Sequence, residues 1–270
     1  MSGRLVTAIA AAILVVGGCG PRIERPTRIC PGAESVFESL SSLRAQSKNV
    51  VPLKANGQCR LEYDGTKHKE NFPIKLWFSP AFDVRLQGDV AFDPRGIVLG
   101  SNEREFWLAI KPKEVSSYWW GRWAEQDSFG ELPLNPKILL EALGIVEVEG
   151  GANWSLSNEG AFDVLTERND EGAIVKKIYV HSCNYLVWRI EYFNVSGEVA
   201  AAAELYKYKE ISRFFSVPAV IKIVTRAEGK FEDSVSITLG SIKSTNFTEK
   251  QKNRLFTRPE ARGFKRVEKL

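Results

Sequence analysis

Few residues in this chain have the types and spacing for chemistry: four cysteines, two histidines, and some carboxylates and arginines set among apolar residues. His181 and Cys183 lie two apart on a stretch with strand character, so they face the same side. Such a pair suits a Cys–His dyad or half of a zinc site. A nucleophile also needs a base held by an orienting group, and a structural zinc site needs four ligands at characteristic spacings. No further ligands lie at those spacings, and no phosphate-loop, dinucleotide-loop, nucleophile-elbow or HExxH motif is present. His68, in Thr66-Lys67-His68-Lys69, reads as a solvated turn, and Glu103 and Glu105 as acids on an exposed strand face. The expectation is a protein that is not an enzyme and uses neither metal nor cofactor.

Cys19 is the cysteine with a defined chemistry. Met1-Ser2-Gly3-Arg4 is a short positive start, Leu5 to Val16 is an uncharged apolar run, and Val16-Gly17-Gly18-Cys19 has the form of a lipobox. The run is too short to span about 30 Å of hydrocarbon, which takes about 20 residues, but it suits a cleaved signal. Residues 1–18 are therefore expected to be a lipoprotein signal peptide, and Cys19 the lipidation site and mature N-terminus. Each buried methylene of a palmitate-type chain adds about 0.8 kcal/mol, so two or more chains anchor stably. Residues 19–32, with Pro21, Pro26 and Pro31, suit an extended tether.

Three cysteines remain for an oxidising compartment. Cys30 and Cys59 flank a predicted helix and are the candidate disulfide. That bridge would close a loop of about 30 residues and stabilise by roughly 3–4 kcal/mol. Cys183 is then expected to be a buried core thiol.

These groups must be positioned by a mature chain sized for one large domain or two small ones. It is 44% hydrophobic and 26% charged, values that permit a sizeable core. The net charge of +4 is spread with both signs mixed, which argues against nucleic acid as a partner. The most basic stretch, Lys243 to Lys269, is interrupted by Glu249, Glu260 and Glu268 and reads as a solvated tail or surface strand.

Ser35 and Glu38 have capping-box spacing ahead of Val36, Phe37, Leu40 and Leu43, which predicts a helix over 35–47. From Lys54 the period changes to two. Ile74, Leu76 and Phe78 keep one face, as do Val84, Leu86, Val90 and Phe92, then Phe106, Leu108 and Ile110. Breakers such as Asp93-Pro94-Arg95-Gly96 separate these runs. Asn135-Pro136 starts a second helix with Ile138, Leu139, Leu140 and Leu143 on its apolar side and Gly144 beyond its end. Strand patterns resume near 161–169, 173–181, 184–194, 198–208, 218–226 and 231–242. The reading is mainly β (α+β): about 11 strands that curl into a half-open antiparallel β-barrel, with helices covering the concave face.

The lipoprotein signal, the helix leading into Ala55-Asn56-Gly57-Gln58-Cys59-Arg60-Leu61, and a helix between two sets of strands together resemble the bacterial lipoprotein-localisation LolA/LolB-like superfamily. The resemblance covers roughly residues 33–245, leaving 246–270 as a basic C-terminal tail. It implies an unclosed barrel whose apolar cavity holds acyl chains of lipoproteins or related lipids. An anchor at Cys19 resembles the receptor rather than the soluble carrier, and Gly20 is not the aspartate that retains enteric lipoproteins in the inner membrane. The expected place is the cell envelope, lipid-anchored at the outer membrane and facing the periplasm. Expected partners are the membrane, acyl chains and other envelope proteins.

The candidate lipid-binding residues are Trp77, Phe78, Phe92, Phe106, Leu108, Ile110, Trp119, Trp120, Trp123, Leu139, Leu143, Trp188 and Ile190. In Tyr118-Trp119-Trp120-Gly121-Arg122-Trp123, alternation puts Trp119 and Trp123 on one face and Tyr118 and Trp120 on the other. Arg85, Arg104, Arg122 and Arg189 interrupt apolar strands, either as outward charges or as headgroup binders at a cavity mouth. A lipid cavity and a packed core share one sequence pattern. The alternative is therefore an envelope scaffold or interaction lipoprotein with the same fold and a filled core.

Overall fold

The computed structural model describes residues 28–63, 68–80, 82–90, 93–112, 116–125, 136–143, 153–226 and 233–270. Cys19, the signal peptide, the tether up to residue 27, Phe92, Asn135 and Gly144 lie outside the described residues.

The chain opens with helix α1 (Val36–Lys48) and six strands: β1 (Leu53–Tyr63), β2 (His68–Ser79), β3 (Asp83–Val90), β4 (Asp93–Ser101), β5 (Glu105–Ile110) and β6 (Ser117–Arg122). A 3-10 turn and helix α2 (Pro136–Ala142) follow. Next come β7 (Trp154–Glu159), β8 (Phe162–Arg168), β9 (Ile174–His181), β10 (Val187–Phe193), β11 (Val199–Ser212), β12 (Phe215–Thr225) and β13 (Asp233–Ser244). Helix α3 (Glu249–Phe256) and strand β14 (Arg266–Lys269) close the chain.

Local chemistry sets the boundaries. Ser35 Oγ accepts the Glu38 N–H at 3.2 Å, while the Glu38 carboxylate accepts from Glu34 N–H at 2.8 Å, one residue further out than a capping box. The complete box is at α3, where Thr248 and Gln251 satisfy each other's backbone N–H. In the β8–β9 turn Gly172 takes φ +82° and the Asn169 side chain accepts from Ala173 N–H, as its turn residues require.

The described strands form one sheet in the order β14-β6-β5-β4-β3-β2-β1-β13-β12-β11-β10-β9-β8-β7. It is antiparallel except for β14 beside β6. The expected mainly β, unclosed sheet is found; its strand number is corrected from about eleven to fourteen among the described residues, with β14 and β7 at the edges. Two strands lie in unpromising sequence: β4 starts inside the Asp93–Gly96 turn signal, and β7 has Leu156 as its one aliphatic residue after Trp154. β14 lies in the basic segment, for which a surface strand is one of the two readings.

The sheet curls. α2 touches β4, β11 and β12. β4 and β11 stand six strand intervals apart in the order, about 29 Å if flat, whereas a seven-residue helix is about 10 Å long. Both can meet α2 only if the sheet wraps around it. The concave face carries the main core, built from alternate residues of β1–β5 and β7–β13 with α1 and α2.

Segment 246–270 is folded. α3 packs on β3, where Arg85 donates to the Leu255 carbonyl at 3.1 Å. The chain then crosses the convex face, where Ala261 and Phe264 cover a second cluster of Val98, Trp107, Ala109 and Tyr118. Arg258 pairs with Glu105 at 2.9 Å and lies 4.2 Å from the Trp120 ring.

Gly100 shows how tightly this outer cluster is built, since a Cβ there would sit 2.4 Å from the buried Trp107 ring. Gly100→Ala should lower stability by about 2 kcal/mol through overpacking. Thermal unfolding checks this, and an unchanged midpoint would mean that the Trp107 contact yields freely.

Candidate functional site

The concave face is where the candidate residues converge, and strand parity decides which of them reach it. Phe78, Phe106, Leu108, Leu139, Leu143 and Ile190 are buried in the main core. Ile110, Trp119 and Trp123 pack against it partly buried. Trp119 and Trp123 satisfy their ring N–H groups with Glu268 and the Asn102 carbonyl, each at 2.7 Å. The alternation expected through Tyr118–Trp123 holds, with Tyr118 and Trp120 facing the convex cluster.

Three candidate lipid contacts are corrected. Trp77 alternates with Leu76 and Phe78, which point inward, so it faces the convex side. Trp120 lies on the convex face with Arg258. Trp188 shares parity with Ile190, but the pairing register with β9 shifts between Val187 and Arg189. That bulge turns two consecutive side chains outward. Trp188 therefore meets Phe162 and Tyr206 at ring distances of 6.2 and 5.2 Å, outside the main core.

The disulfide is also corrected. Cys30 pairs with Cys183, with a Cα separation of 5.1 Å, and Cys59 is a free buried thiol. Five strand intervals separate β1, which holds Cys59, from β9, which leads to Cys183. The tether enters at the β8 end instead, where Ala33 N–H donates to the buried Asp163 carboxylate at 3.0 Å. Burial pushes the Cys59 thiol up to about 12, so it is unreactive in the folded protein. The His181 ring nitrogens face Asn184 Oδ1 at 3.0 Å and the Arg28 carbonyl at 3.4 Å. No metal-competent group of three acidic, histidine or cysteine residues occurs among the described residues.

The arginines face outward. Arg122 pairs with Glu125 at 3.3 Å, and Arg189 pairs with Glu191 and Glu204 at 2.7 and 2.9 Å. The cation on the concave side is Lys176 of β9. Its Nζ lies 3.1 Å from Glu141 of α2 and 3.8 Å from Glu167. Tyr192 of β10 donates its hydroxyl to the other Glu141 oxygen. Lys176 and Tyr192 are direct cross-strand partners. Burial, then the Glu141 charge, holds the Tyr192 hydroxyl well above its usual range, so it stays a donor.

This ion pair, Glu141 2% and Lys176 8% exposed, was not among the sequence candidates. Its signal was Glu141 itself: Ile138, Leu139, Leu140, Ala142 and Leu143 line α2 nearly all round, leaving a neighbouring acid no solvated face. Beside Glu141 is a cavity of about 20 Å³ lined by Leu43, Gln46, Val187, Leu205, Tyr208 and Ser216. Its volume is about that of one water, and the Glu141 carboxylate reaches into it.

No family model and no curated protein matches the sequence. Solved structures do. A LolA superfamily protein from Nitrosomonas europaea aligns over 84% of this chain and 99% of its own at 12% identity, with a TM-score of 0.52. A putative outer membrane lipoprotein-sorting protein domain from Vibrio parahaemolyticus aligns over 81% and 96% at 12% identity, TM-score 0.57. A DUF1329 family protein from Desulfovibrio piger aligns over 83% and 98% at 13% identity, TM-score 0.52. An open, curled antiparallel sheet closed by α1 and α2, superimposable on these proteins over most of its length, has the LolA/LolB-like fold.

Proposed function

We propose that this protein is a lipid-anchored envelope protein, held at Cys19 in the outer membrane, whose concave face binds an acyl chain when α2 lifts. The observation that supports it is α2: a short helix, buried on nearly all sides, laid on an apolar concave surface. Its Ile138, Leu139, Leu140 and Leu143 each contribute about 1.5–3 kcal/mol of burial, roughly 6–12 in all. A sixteen-carbon chain brings about 12 kcal/mol at ~0.8 per methylene. An acyl chain can thus replace α2 at similar free energy, which is what reversible capture needs. The action is binding and handover of lipid or lipoprotein, with no covalent step.

The small size of the cavity beside Glu141, about 20 Å³, favours a second reading: an envelope scaffold with a permanently filled core. Native mass spectrometry of the full chain purified from envelope membranes separates the two. A bound acylated mass, lost when Leu139 is replaced by Asp in a variant that still unfolds cooperatively, supports the carrier. A clean apo mass that takes up no added hexadecanoic acid leaves the scaffold.

A further inference from the structure

We propose that Lys176 and Tyr192 form an anion-binding pair, filled at rest by the Glu141 carboxylate, which receives the anionic headgroup of a single-chain lipid when α2 lifts. This rests on the acyl-binding reading above and names the class of ligand it takes.

Donors and acceptor stand on elements that differ in freedom to move. Both donors stand on the sheet, on adjacent strands and directly opposite each other. The acceptor stands on α2, the element whose removal opens the concave face. Lys176 shares its inward parity with Ile178 and Val180 of the main core, so its ammonium sits on an apolar surface. When α2 leaves, the acceptor that remains is Glu167, at 3.8 Å and with a 29% exposed side chain. That contact is beyond hydrogen-bond length. A neutral headgroup leaves the buried ammonium short of an anion, which is costly. A carboxylate or phosphate restores what Glu141 supplied: one oxygen for Lys176 and one for the Tyr192 hydroxyl. The exchange swaps one anion for another, so the charge on the concave face is conserved.

The space for the chain lies beside the headgroup position. The cavity touching Glu141 is walled on its other sides by Leu43, Val187, Leu205 and Tyr208, with the uncharged polar Gln46 and Ser216. Burial pushes the Tyr208 hydroxyl far up, and it donates to the Val187 carbonyl, while the Gln46 amide donates to the Tyr185 carbonyl, so this wall presents no charge. An acyl chain entering there would run along a largely apolar, uncharged wall with its head at Lys176. Glu141 is in effect an internal copy of the ligand's head.

The test uses the full chain in neutral phosphatidylcholine vesicles. Diazirine-bearing hexadecanoic acid, lysophosphatidate and hexadecanol are added at equal membrane load and at mildly alkaline pH. After irradiation, labelled peptides from α2 and β9–β11 are quantified as an acid-to-alcohol ratio. The wild-type ratio should exceed about tenfold, the scale of one charge-assisted contact. Glu141→Gln, which removes the internal competitor, should raise it. The double variant Glu141→Gln/Lys176→Met, which leaves no unpaired buried charge, should bring it to near one. The arm that labels more strongly, carboxylate or phosphate, identifies the headgroup. A wild-type ratio near one overturns the anion pair and leaves the acyl reading standing. No labelling of these peptides by any probe overturns both.

Discussion

Lys176→Met should lower the unfolding free energy by about 3 kcal/mol, although it exchanges a charged side chain for an apolar one of similar length. Lys176 is 8% exposed and faces Glu141, itself 2% exposed. Removing the lysine leaves a buried carboxylate without its cation, with the Tyr192 hydroxyl still donating to it. Glu141→Gln should cost less, about 1–2 kcal/mol, because the glutamine amide oxygen can still accept from Lys176 in place of the carboxylate. The double variant should recover most of the loss, since replacing both members of a buried pair is often close to neutral. Urea unfolding of the two singles and the double gives the coupling directly. If Lys176→Met costs no more than an ordinary surface substitution, Glu141 and Lys176 do not hold α2 down.

Breaking the Cys30–Cys183 bridge should cost up to about 5 kcal/mol, from the loop-closure entropy of a 153-residue separation. The candidate Cys30–Cys59 pairing predicts a smaller loss, because its loop is about five times shorter. The bridge joins the entering tether to the turn after β9, far along the sheet from β1. Cys30→Ser/Cys183→Ser should therefore unfold at a markedly lower temperature than the oxidised wild type. Alkylating the unreduced, denatured protein should label Cys59 and spare Cys30 and Cys183. A label on Cys183 and none on Cys59 would restore the sequence-based pairing.

The periodic parts of this fold were readable, and the long-range parts were not. Leu40 and Leu43 on α1, and Ile74, Leu76 and Phe78 on β2, announced their elements because one face of each is buried. Parity also sorted Trp119 from Trp120 correctly. It failed at Trp188, because a bulge is one residue of backbone geometry with no composition of its own. At Trp77 bulk and parity point opposite ways, and parity, set by the inward Leu76 and Phe78, decides its face. The basic segment reads equally as tail or surface strand because β14 gains its place by pairing with β6 rather than by burying an apolar face. The cysteine pairing needed the sheet order, which brings together residues 153 positions apart. The Glu141–Lys176–Tyr192 cluster joins α2, β9 and β10, and no local spacing encodes it.

Entry of an acyl chain should drive α2 off the concave face. Spin labels at Lys137 on α2 and Lys75 on β2, both exposed, report that motion as a distance. In the full chain, adding hexadecanoic acid should shift the distance distribution outward by several ångströms, saturably. A distribution that stays fixed while hexadecanoic acid is shown to bind would contradict the account.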